Sequence, residues 1–114
     1  MKVILAGSRS ITDMDALDVA IHESEFEITE VVSGHAAGVD TLGEQWAEIN
    51  NIPIKLFPPD RKRYGRPHAA FVRNKQMGDY AEALIALWDG KSHGTKHMID
   101  YATKKGIRVY VHRI

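Results

Sequence analysis

Hydrophobic residues occur in two patterns along this chain, short unbroken runs and stripes at helical spacing. The runs are Lys2 to Ala6, Ile28 to Val32, Pro53 to Phe57, Ala83 to Trp88 and Ile107 to Val111. Runs this short and continuous suit parallel strands buried on both faces. Between them, Thr12 or Asp13 can cap a helix to Ser24 with Leu17, Val19, Ala20 and Ile21 on its apolar side. Val39 to Asn50 places Val39, Leu42, Trp46 and Ile49 at helical spacing, and Asn50-Asn51 ends it. Pro67 opens a third helix reaching Tyr80. Gly94 to Lys105 forms the last, with Met98, Ile99 and Ala102 inward and Gly106 as its stop. Pro58 to Arg66 reads as a basic loop. Strands alternating with helices predict a doubly wound three-layer α/β sandwich around a mainly parallel five-stranded sheet. Residues 1–114 are expected to form a single domain.

Candidate chemistry gathers where runs end in glycine. Ser33-Gly34-His35-Ala36-Ala37-Gly38-Val39-Asp40 passes from a β-branched run through small residues into a helix. Small residues let a ligand approach backbone N–H groups, and a helix start adds partial positive charge, which suits a phosphate. Gly7-Ser8-Arg9 and Asp89-Gly90-Lys91-Ser92-His93-Gly94-Thr95 repeat the device. In a doubly wound sheet these turns share the rim beyond the carboxyl ends of the strands, where ligands sit. Ligand-binding candidates are thus Gly7, Ser8, Arg9, Ser33, Gly34, His35, Gly38, Asp40, Asp89, Ser92, Gly94 and Thr95. On the third helix, Arg73 and Asn74 face the pocket, Met77 faces the core and Lys75 faces solvent. Asp40 and Asp89 are the acids nearest the turns, suited to a ribose hydroxyl or to capping. Trp46 and Trp88 read as core or pocket wall.

Several chemistries are excluded or disfavoured. Gly7 lacks the remaining glycines of a dinucleotide fingerprint, and Gly90-Lys91-Ser92 lacks the first glycine of a P-loop, whose place falls on Ile85. His93 and His97 have a spacing that can bind zinc, but HExxH and a third ligand are missing, so no metal site and no cofactor is expected. Cysteine is absent, which removes disulfides and thiolate chemistry. The 15 basic and 15 acidic residues cancel, so no global field draws the chain to nucleic acid or a membrane. Val3 to Ala6 is too short for an export signal or a span, and the expected location is cytoplasmic.

Together, Gly7-Ser8-Arg9, Ser33 through Asp40, Arg73-Asn74-Lys75-Gln76-Met77 and Gly94-Thr95 resemble, in order and over nearly the whole chain, the SLOG superfamily, in particular its YspA-type branch. Related branches are the LOG (lysine-decarboxylase-like) phosphoribohydrolases and the DNA-processing protein DprA. The resemblance implies a Rossmann-like fold, binding of nucleotides or nucleotide-derived signals, and a homodimer. LOG enzymes cleave the base–ribose bond with an arginine and a glutamate, and Arg73 lies in a stretch similar to their arginine motif. Their second motif, Pro-Gly-Gly-x-Gly-Thr-x-x-Glu, is matched here by Gly94-Thr95. Lys91-Ser92 replaces the two glycines, however, and Met98 the glutamate. Methionine neither takes a proton nor stabilises an oxocarbenium charge.

The expected function is therefore a small module that binds a phosphate-containing nucleotide derivative, as a signal sensor or sequesterer. Phosphate oxygens would rest on the Ser33–Gly38 and Ser92–Thr95 turns beside Arg9 and Arg73. A second expectation is a nucleoside-monophosphate hydrolase using Arg73 and a relocated acid, Asp40, Asp89 or Asp100. A third is a DprA-like binder of single strands through Arg61, Lys62, Arg63 and Arg66. Zero net charge and few aromatic candidates weigh against it.

Overall fold

The computed structural model describes residues 1–114. Its elements are β1 (Lys2–Gly7), α1 (Met14–Ser24), β2 (Glu30–Ser33), α2 (Val39–Ile49), β3 (Ile54–Leu56), α3 (Arg61–Tyr64), α4 (His68–Tyr80), β4 (Ala83–Trp88), α5 (His93–Lys105) and β5 (Arg108–Arg113). The strands form a five-stranded sheet in the order β3-β2-β1-β4-β5. Every pairing is parallel, so the sheet is wholly rather than mainly parallel. β1 is central, aligning Val3 with Val31 of β2 and with Ala83 of β4. After β3 the chain crosses to the other side of β1, so the switch in strand order lies between β1 and β4.

Period-two alternation on the buried strands divides the core into two layers. Val3, Leu5, Val31, Ile85 and Leu87 pack against Leu17, Ala20, Val39, Leu42 and Ala47 of α1 and α2. Ile4, Ala6, Val32, Leu84 and Ala86 pack on the opposite face against Met77 of α4 and Met98 and Ala102 of α5. Asp13 caps α1 through its carboxylate, and Gly106 ends α5 in the left-handed conformation at φ 87°.

Some expectations are corrected. Val19 is 48% exposed and Ile49 74% exposed, although both were expected inside. Helical geometry explains both: at about 100° per residue, Val19 lies ~130° and Ile49 ~110° from the centre of its helix's buried arc. The basic stretch from Pro58 to Arg66 is not all loop, because Asp60 caps the single helical turn α3, its Oδ1 accepting from Arg63 N at 3.1 Å. β5 extends beyond Val111 because Trp88 still pairs with Arg113.

Candidate functional site

The three glycine-bearing turns at the carboxyl ends of β1, β2 and β4 meet. Ser8 N donates to Leu87 O at 3.1 Å, and Asp89 N donates to Ser8 Oγ at 3.3 Å, fastening the first turn to the third. Gly38 joins the first turn to the second. Its φ of 77° favours glycine, and a Cβ there would stand 2.6 Å from Arg9 Cα. Gly34 is needed for proximity: a Cβ would lie 2.7 Å from Arg73 Cζ and 2.9 Å from Asp40 Oδ2.

Between the turns and the first half of α4 lies a cavity of about 110 Å³. Gly7, Arg9, Asp40, Arg73, Asn74, Ser92, Gly94 and Thr95 all line it, with Ala6, Ala36, Ala70, Met77 and Met98 as its apolar wall. Small-molecule pockets usually exceed ~300 Å³. This one is smaller, with room for a group of only a few heavy atoms.

Arg73 is fixed before any ligand arrives. Its Nη1 donates to Gly34 O, and its Nε donates to Asn74 Oδ1 at 3.1 Å. Asn74 Nδ2 in turn donates to Gly94 O at 3.2 Å and meets His97 Nδ1 at 3.1 Å. One guanidinium thus ties β2, α4 and α5 together. Burial lowers its pKa, Asp40 opposes that, and the charges of Arg61 and Arg9 lower it further.

Asp40, on the first turn of α2, is only 6% exposed. Its Oδ2 accepts from Ala36 N at 3.2 Å. Burial raises its pKa from 3.8 to about 6, against the lowering effects of Arg73, the Ala36 N–H and Arg9; Glu44 adds to the rise. The cavity therefore holds one ionisable acid among cations.

Other candidates turn elsewhere. Ser33 Oγ donates to Glu44 Oε2 at 2.7 Å and accepts from His35 N at 3.1 Å. The His35 ring, largely exposed, rests its Nδ1 3.1 Å from the same carboxylate. Asp89 Oδ1 accepts from Lys91 N and Ser92 N, each at 2.8 Å, which builds the turn and holds its carboxyl below the usual range. Ser92 caps α5, its Oγ accepting from Thr95 N at 3.4 Å and meeting Thr95 Oγ1 at 3.1 Å. Trp88 Nε1 donates to Ser92 O at 3.0 Å and braces that turn, while Trp46 packs at the edge of the α1–α2 core. His93 is exposed, and no group of three or more His, Cys, Asp or Glu gathers anywhere. Sequence reading passed over Glu44, whose place one helical turn beyond Asp40 points it at the same bend.

A family model described as the YspA, cpYpsA-related SLOG family matches residues 1–64. The chain is also 33% identical over 118 residues to the Gene 61 protein of Mycobacterium phage D29, covering 95% of this chain and 93% of that protein. The chain belongs to the YspA, cpYpsA-related SLOG family. Among solved structures, this SLOG chain is similar to DNA processing protein A (DprA) from Streptococcus pneumoniae, with a TM-score of 0.70 at 23% identity. The match covers 96% of the chain but 49% of DprA, so the SLOG chain spans about half of that protein's length and shares its fold. No helix is long and apolar enough to cross a membrane.

Proposed function

We propose that this SLOG chain binds a nucleotide or nucleotide derivative, with a phosphoryl group in the cavity between the three turns. The observation that carries this reading is the buried, pre-oriented Arg73 guanidinium at the wall of a phosphate-sized cavity that Arg9 also lines. Its bonds to Gly34 O and Asn74 hold the fork in place, so little side-chain freedom remains to be lost on binding. The amides of Val39, Asp40 and Thr41 precede the first helical bond of α2, made by Leu42 N to Gly38 O at 3.1 Å, and add donors beside the cavity. The role is that of a sensor or a sequesterer in the cytoplasm.

Titration calorimetry with AMP tests it. Wild type is expected to bind, Arg73→Lys to lose at least tenfold through loss of the planar fork, and Arg73→Ala to lose more. No heat with AMP, ADP or cyclic nucleotides would end the proposal.

One observation favours a hydrolytic reading in second place. Of the acids considered as a relocated catalytic group, Asp89 is spent on its own turn and Asp100 is exposed and paired with Lys96 at 2.7 Å. Asp40 alone lines the cavity with Arg73. In that reading water adds at the ribose C1′ while the base leaves carrying the proton. Free base released from AMP by wild type, and not by Arg73→Ala, would establish it.

A further inference from the structure

The cavity mixes groups that a bare anion would not want together. Arg9 and Arg73 suit phosphate oxygens, yet Asp40 shares the same wall and repels them. A site built only for a polyanion would do better with asparagine, which caps Ala36 N equally well.

The two oxygens of Asp40 have different surroundings. Oδ2 accepts from Ala36 N, whereas Oδ1 has no bond to protein. No sealed side-chain nitrogen or oxygen in the molecule lacks a partner, so Oδ1 is not sealed, and its residue lines the cavity. An ionised carboxylate only accepts, so the group it waits for is a donor. Ligand atoms meeting both Arg73 and Oδ1 must therefore carry an anion and a hydroxyl close together. Phosphorylated sugars do, with a hydroxyl that keeps its proton throughout, whereas a phosphate chain offers at most a P–OH that is lost as pH rises.

We infer that Asp40 is a specificity-determining residue that accepts a hydrogen bond from a sugar hydroxyl, so that the cavity selects ribosyl phosphates over bare phosphate chains. This inference rests on the nucleotide reading of the cavity. Asp89 does not take the same part, because it builds its own turn through Lys91 N and Ser92 N and is not in the cavity wall. With a pKa of about 6, Asp40 is mostly ionised at neutral pH and an acceptor there.

The test compares AMP, 2′,3′-dideoxy-AMP and pyrophosphate by calorimetry at pH 7.5, on wild type, Asp40→Asn and Asp40→Ala. Wild type is expected to prefer AMP to its dideoxy analogue by tenfold or more. Either substitution is expected to bring that preference within about threefold and to tighten pyrophosphate, because the opposing charge is gone. The opposite signs for two ligands exclude simple misfolding, which weakens both. Equal binding of AMP and dideoxy-AMP by wild type overturns the inference and leaves nucleotide binding standing. A preference that survives both substitutions does the same. Failure of AMP to bind overturns this inference, and failure of ADP and cyclic nucleotides as well removes the nucleotide reading with it.

Discussion

At the bend between β2 and α2 the chain has no room for one added methyl, whereas in the first turn of α5 Gly94 has no atom within 4 Å of where a Cβ would point. The first bend spends its amides internally, His35 N on Ser33 Oγ and Ala36 N on Asp40, and stores a buried acid. The second region is held by the Ser92 cap and by Asp89, and Gly94 lies at the cavity wall. Similar residue types thus serve packing in one place and access in the other. Tolerance to substitution should differ accordingly.

The largest effect is expected from removing the cation that holds the tight bend. Arg73→Ala removes two hydrogen bonds from a charged donor, to Gly34 O and Asn74 Oδ1, which should cost roughly 3–5 kcal/mol of stability in urea denaturation. A loss below 1 kcal/mol would show that the bend does not depend on these bonds. Next comes pH. Asp40 holds its proton more tightly folded, near 6, than unfolded, at 3.8. Its contribution is therefore complete below pH 3.8 and lost as pH rises through about 6, a swing of about 3 kcal/mol. The unfolding free energy of wild type minus that of Asp40→Asn should fall across this window; a flat difference would contradict the buried acid.

Smaller substitutions separate the two bends directly. Gly38→Ala, at positive φ and against Arg9 Cα, should cost about 1–3 kcal/mol. Ser92→Ala, which removes the cap of α5, should cost about 1 kcal/mol in thermal denaturation. Gly94→Ala is the sharpest contrast: it should raise stability by up to ~1 kcal/mol, since alanine suits a helix better. Its methyl should also weaken AMP several-fold by entering the cavity. If Gly94→Ala melts earlier than wild type, the contrast between the bends fails.

The fold was legible because buried parallel strands need continuous apolar runs and each run here stops at a glycine, a polar residue or a turn. The wheel also placed Arg73 and Asn74 toward the pocket, as found. Legibility ended where neighbours decide. Val19 and Ile49 are apolar but sit off the buried arcs, and sequence alone does not show where an arc is centred. Glu44 escaped notice because its partners, Ser33 and His35, come from another element. Asp40 and Asp89 looked equivalent beside their glycines. Only the structure shows that Asp40 lines the cavity while Asp89 builds its own turn.

β1 takes one neighbour from early in the chain and the other from late in it, Glu30 on one side and Ala83 on the other. During synthesis, then, the half carrying Arg9 and Asp40 leaves the ribosome first with one flank of its central strand bare. Arg73 and Thr95 come afterwards, and closure of that long loop is the entropically expensive step. The wall between the two halves is therefore incomplete until residues as late as Met98 have taken their places.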